Sequence, residues 1–187
     1  MPREETKIGE TYKVSEAKDG RKVILRTPRW EDLDDLLEFI NSLVEEGAEI
    51  LVDREQTREQ EVDWLAHQIS RLEKGEDLCV AAEADRRVVG NSEVARLGAR
   101  RQSHVGLLGI AVRDGYRDLG IGTEMMKVLI NESRNAGLRV IVLDVFATNG
   151  RARHVYEKIG FREVGRIPKG IFKDGEYIDL VRMALEL

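Results

Sequence analysis

The 187-residue chain holds a single cysteine, Cys79. No internal disulfide can form, and the apolar run around Cys79 reads as the setting of a small buried hydrophobe. No apolar stretch approaches the length of a membrane-spanning helix, and the opening Met1-Pro-Arg-Glu-Glu-Thr-Lys7 is too charged for a signal peptide. The expectation is therefore a cytoplasmic protein without a membrane partner. A basic surplus is missing as well: 30 Lys and Arg stand against 35 Asp and Glu, for a net charge of −5. Non-specific nucleic-acid binding needs the opposite balance, so no nucleic-acid partner is expected. The local run Arg96-Leu-Gly-Ala-Arg100-Arg101 reads as a solvated turn. No His and Cys residues have metal-ligand spacing, so no metal is expected either. With no repeat, low-complexity tract or linker, residues 1–187 read as one domain, with 1–21 as an N-terminal extension and hairpin and 22–186 as the core.

What is present is an ordered succession of periodic segments. Residues 10–15 and 22–27 flank Lys18-Asp-Gly-Arg21, a turn signal, and predict a hairpin. Leu33, Leu36, Leu37, Ile40 and Leu43 lie three and four apart and predict an amphipathic helix over 31–46, stopped by Gly47. Thr57-Arg-Glu-Gln60 is a capping-box pattern opening a second helix to about Glu73. Trp30 and Trp64 belong to these early helical regions and read as core. Three strands follow, over 78–84, 88–97 and 104–112, as an antiparallel meander. A glycine loop, a helix over 121–135 and a buried-looking strand over 140–146 make the last of those strands parallel to 140–146. A short helix over 150–159 and strands over 162–167 and 176–186 complete a mixed α/β (α+β) fold. Its sheet is mostly antiparallel, with one parallel pair.

The loop between the parallel strands carries the most information. Val112-Arg-Asp-Gly115-Tyr-Arg117-Asp-Leu-Gly120-Ile-Gly122-Thr123 ends a strand, turns and begins a helix. Glycines let backbone approach a bulky anion, and a helix start offers free N–H groups and the positive end of its dipole. Arg117 adds a planar cation suited to phosphate. A Walker loop would need Lys-Ser or Lys-Thr where Ile121-Gly122 stands. A dinucleotide fingerprint would need a small residue where Met125 stands, and a parallel sheet. A tight turn without ligand remains the bland reading of the loop alone.

Arg117-x-x-Gly120-x-Gly122 resembles the acyl-CoA pyrophosphate signature of the GNAT superfamily of N-acyltransferases. A second block, Asp144-Val-Phe-Ala-Thr-Asn149-Gly-Arg-Ala-Arg-His-Val-Tyr156-Glu-Lys-Ile-Gly160-Phe161, is similar to that superfamily's later strand and helix. Element order over 22–186 fits as well, most of all the branch with ribosomal-protein and small-amine acetyltransferases. The resemblance implies that the parallel pair splays and that acetyl-CoA is the co-substrate. The cofactor would lie along Ile110, Ala111 and Val112, the loop residues Arg117, Asp118, Leu119, Gly120, Ile121, Gly122 and Thr123, and Asn149 and Tyr156. It also implies a primary-amine acceptor, either a protein N-terminus, a polyamine or another small amine, and is compatible with a homodimer.

Direct attack of an amine on a thioester needs a base for the amine and an acid for the leaving thiolate, but no covalent nucleophile. The resemblance makes Tyr156 the acid. For the base it offers Asp144, where relatives carry a glutamate, and Glu93 on the strand over 88–97 is the alternative. Asp144 also reads as a strand carboxylate with no chemical part, and Tyr156 as a packed aromatic. His104, His67 and His154 read as structural. The rival to an enzyme is an acyl-CoA-binding sensor or interaction module, against which the retained Tyr156 and Asp144 speak.

Overall fold

The computed structural model describes residues 7–187. The signal-peptide reading of the first residues, and the start of the N-terminal extension, fall mostly outside the described residues. β1 (Thr11–Glu16) and β2 (Lys22–Arg26) form the expected hairpin, turning through Gly20 at φ +87°. α1 (Leu33–Glu45) starts later than its periodicity suggests. Its lead-in, Trp30–Asp32, is a 3-10 turn held by Asp32, whose two oxygens accept from the buried Arg26 guanidinium at 2.6 and 2.7 Å. α2 (Arg58–Glu73) begins with the predicted capping box: Thr57 Oγ accepts from the Gln60 amide at 3.3 Å, and Gln60 Oε1 from the Thr57 amide at 2.9 Å.

β3 (Asp77–Ala84), β4 (Arg87–Arg96) and β5 (Val105–Val112) form the meander. α3 (Ile121–Asn135), β6 (Val140–Phe146), α4 (Gly150–Ile159), β7 (Arg162–Lys173) and β8 (Glu176–Glu186) follow. The eight strands form one sheet in the order β1-β2-β3-β4-β5-β6-β8-β7, antiparallel throughout except for β5 with β6. β7 runs six residues past its predicted end. One register shift passes Val164, and a second absorbs Pro168, Lys169 at φ +55° and Gly170, so the strand resumes at Ile171.

Period-2 alternation divides the core between two faces. Val80 and Val94 join Met125 and Leu129 of α3 and Phe161 beyond α4 in the main cluster. Ala81 and Val88 meet Leu36 of α1 and Leu65 and Ile69 of α2. Trp64 packs against this smaller cluster, whereas Trp30 is 46% exposed and is not a core residue. It sits in the 3-10 turn rather than on the helical stripe, which accounts for the difference.

The feature that positions the site is the β5–β6 ladder. The strands pair only at Val105–Val140, Gly106–Ile141 and Leu107–Val142. Beyond that point β5 keeps β4 as partner to Val112, and β6 keeps β8 to Phe146, but they no longer pair with each other. A gap therefore opens toward their C-terminal ends. Gly106 sits where they still touch: a Cβ there would come within 2.3 Å of Val94 Cγ1.

Candidate active site

The glycine loop closes one wall of this gap. Gly120 caps α3 in the left-handed region, at φ +87°, and no side chain caps the helix. The first helical bond runs from the Glu124 amide to Gly120 O at 3.0 Å, so the amides of residues 121–123 have no partner within the helix. No atom lies within 4 Å of a Cβ built on Gly120, so its surroundings are open. A Cβ on Gly122 would instead fall 3.5 Å from Val112 and 3.8 Å from Ile110, because α3 begins against the end of β5. These are the conditions under which a helix start receives an anion.

Arg117 does something more specific than offer a free cation. Its Nε donates to Val112 O at 2.8 Å, and its guanidinium pairs with Glu46 just after α1. It clasps the loop to β5 and to the α1 end. Asp118, at φ +61°, pairs with Arg151 of α4 at 2.8 Å, so the loop is also tied to the far wall. Leu119 O accepts from the Lys18 amide at 3.1 Å, linking it to the β1–β2 turn. Ile110, Ala111 and Val112 are partly buried along the gap, as is Thr123 behind them.

On the β6 side, Asn149 caps α4 by accepting from the Ala152 amide at 3.0 Å. Two turns later Tyr156 packs on Phe161, ring centroids 6.0 Å apart. Its hydroxyl has no protein hydrogen-bond partner among the described residues. Burial raises the phenol to about 12, so it is protonated at neutral pH. The segment between α1 and α2 is fastened over the gap from several sides: Glu46 to Arg117, Glu49 to Thr148, and Gly47 O to Lys173 Nζ at 3.0 Å.

Two carboxylates flank the gap on the α1–α2 face. Glu93 lies opposite Gly109 of β5 and accepts from Gln68 Nε2 of α2. Burial foremost pushes its pKa up and Asp77 adds to this, while Gln68, His67 and Arg71 oppose it. Asp144 lies opposite Arg182 of β8, whose fork donates to both its oxygens at 2.8 and 2.7 Å. Asp144 holds the Arg182 pKa up. His104 is exposed at the start of β5, the end remote from the loop, and His67 and His154 are exposed on their helices. Among the described residues no group of three or more His, Cys, Asp or Glu converges as a metal site, and no helix is long and apolar enough to cross a membrane.

Sequence reasoning missed Gln68 and Arg182, and it did not foresee that Glu46 and Glu49 are taken up by Arg117 and Thr148. Gln68 adjoins Ile69 on the buried stripe of α2, and a polar residue there was the available signal. Arg182 becomes visible only once the β6–β8 register is known.

The sequence profile described as "Acetyltransferase (GNAT) family" matches residues 34–161. An L-amino acid N-acetyltransferase of Escherichia coli is 36% identical over 99 residues, which is 52% of this chain and 60% of that protein. The chain thus spans less than two thirds of that relative. An N-alpha-acetyltransferase of Sulfurisphaera tokodaii is 27% identical over 164 residues, 87% of this chain and 93% of that one. The crystal structure of a ribosomal-protein-alanine N-acetyltransferase from Brucella melitensis superposes with a TM-score of 0.78 at 26% identity, covering 87% of this chain and 99% of that chain.

Proposed function

The chain belongs to the acetyltransferase (GNAT) family, and from that premise we propose that it transfers an acetyl group from acetyl-CoA to the α-amine of an amino acid or a protein N-terminus. Residues 1–187 act as one N-acetyltransferase domain, with 22–186 as its core. The observation that carries the reading is the ladder break after Leu107 and Val142, beside a helix start whose amides are uncapped. The two named relatives, one acting on L-amino acids and one on N-alpha positions, favour an α-amine over a polyamine.

Acetyl-CoA supplies a thioester carbonyl that an amine attacks in a ternary complex. The amides of residues 121–123, with Gly120 clearing the approach, receive the pyrophosphate, and Arg117 holds that loop in shape. The edge that β5 turns to the gap, along Ile110, Ala111 and Val112, receives the extended arm as an added strand would be received. Leu119 and Ile121 hold the loop and helix start against the β1–β2 turn and the core, and Asp118 and Asn149 steady the mouth. Glu93 takes the proton that the amine must lose, directly or through one water. Its raised pKa suits a base working near neutrality. Asp144, with both oxygens in the Arg182 fork, braces β6 against β8. Tyr156 gives its hydroxyl proton to the sulfur as the carbon–sulfur bond breaks.

The test is free-thiol release with acetyl-CoA across a panel of amino acids, peptides and polyamines, with Tyr156→Phe alongside. The expected result is turnover on α-amines, and a fall of about 10²–10⁴-fold in Tyr156→Phe with acetyl-CoA affinity retained. Binding without turnover on any amine would make the chain an acyl-CoA-binding module instead.

A further inference from the structure

We infer that Gln68 of α2 is a positioning residue for this reaction, holding the Glu93 carboxylate over Gly109, with the Cys79 thiol fixing which end of the Gln68 amide faces it. The inference rests on the reading of Glu93 as the base. Gln68 is buried, and its two amide ends have different partners: Nε2 donates to Glu93, and Oε1 accepts from Cys79 Sγ at 3.2 Å. Cys79 and Glu93 are register partners on β3 and β4, which brings both within reach of one side chain.

The chemistry allows only one orientation. A carboxylate can only accept, so it requires the NH₂ end. Burial pushes the Cys79 thiol up, so it stays S–H and requires the oxygen end. Turning the amide over would set Oε1 against the carboxylate and leave the thiol without an acceptor. No other group does this work. Asp77 and Cys79 face Glu93 from β3, and His67, Gln68 and Arg71 face it from α2. Arg71 is turned to Asp77, donating to it through both Nε and a terminal nitrogen, the latter at 2.8 Å. From β5 the neighbour is Gly109, which has no side chain; a Cβ there would stand 3.8 Å from Glu93 Oε1. The charge on Glu93 is thus held by a neutral donor whose aim is set by a second neutral donor.

Removing the Gln68 donor disfavours the ionised carboxylate, so the pKa of Glu93 moves further up and less of it is competent at neutral pH. The experiment compares Gln68→Met, which keeps length and loses the donor, with Cys79→Ala and Cys79→Ser, melting curves confirming the fold. The Glu93 titration is read directly by carbon NMR of glutamate-labelled protein, its signal assigned by loss in Glu93→Gln. In Gln68→Met, kcat/KM at pH 7 is expected to fall about tenfold, with the acidic limb moved to higher pH and the KM for acetyl-CoA unchanged. Cys79→Ala, which removes no donor to the carboxylate itself, is expected to move the limb the same way by less, and Cys79→Ser to restore it. A Glu93 titration identical in Gln68→Met and the natural chain overturns the inference. A titration that shifts while the activity profile stays put keeps the clasp and removes Glu93 as the base, which separates the two failures.

Discussion

The two walls of the gap hold a carboxylate each, on the same sheet face, and treat it in opposite ways. On β4, Glu93 is mostly desolvated and meets a neutral amide. On β6, Asp144 keeps 22% of its side chain in solvent and meets a full positive charge in a two-pronged fork. A desolvated carboxylate with no cation bonded to it holds a proton readily and can pass it on. One gripped by a guanidinium is suited to joining strands. Residue type does not distinguish the two; the neighbouring strand and helix do.

The largest expected effect tests that division directly. Glu93→Gln should lower kcat by about 10²–10⁴-fold and remove the acidic limb of the pH–rate profile, while acetyl-CoA binding by calorimetry is unchanged. If Asp144→Asn produced that loss instead, the two walls would exchange roles.

A third carboxylate isolates what burial does with neither amide nor guanidinium. Glu61, on the buried face of α2 and 5% exposed, is raised from 4.5 to about 7 by burial alone. Between those values the folded chain holds a proton that the unfolded chain has released, so stability falls as pH rises through that window and stays low above it. Glu61→Gln should abolish this slope, leaving the protein more stable than the natural chain at pH 8 by about 1–3 kcal/mol, as read from denaturant unfolding at pH 5 and 8.

The smallest effect belongs to Asp144→Asn. Its pair is half open to water on the arginine side, so its loss should cost no more than about 1 kcal/mol by chemical denaturation, and turnover should stay within about twofold in thiol release. The difference in melting point between the natural chain and Asp144→Asn should shrink in high salt, as a screened, modest contact requires.

The order of elements was readable because each long segment obeyed its own period. α3 and β6 start and end where the Ile121–Asn135 and Val140–Phe146 patterns placed them, and the Thr57–Gln60 box opened α2 as expected. β7 runs past its predicted end because the strand bulges around Pro168–Gly170 and resumes at Ile171. At the site, the loop glycines and the stretch from Asn149 to Tyr156 are contiguous in sequence and could be read as blocks. The environment of each carboxylate could not. Gln68 and Glu93 are 25 residues apart, and Asp144 and Arg182 are 38 apart. Such pairs are created by register and helix docking, which no local pattern encodes. The same holds for Arg117, whose motif position suggested an open cation and whose partner, Glu46, lies 71 residues away.

The early end of the β5–β6 ladder also has a thermodynamic side. Past Leu107 and Val142 the two strands leave backbone donors and acceptors that a closed sheet would have joined. In the free protein Arg117 Nε takes one of them, Val112 O, and the sheet is held there by one outer neighbour on each side. A molecule that supplies the missing bonds does more than occupy a cleft: it completes the sheet. Occupancy and cohesion of the fold are then linked, and resistance to unfolding grows with the logarithm of the occupant's free concentration over its Kd.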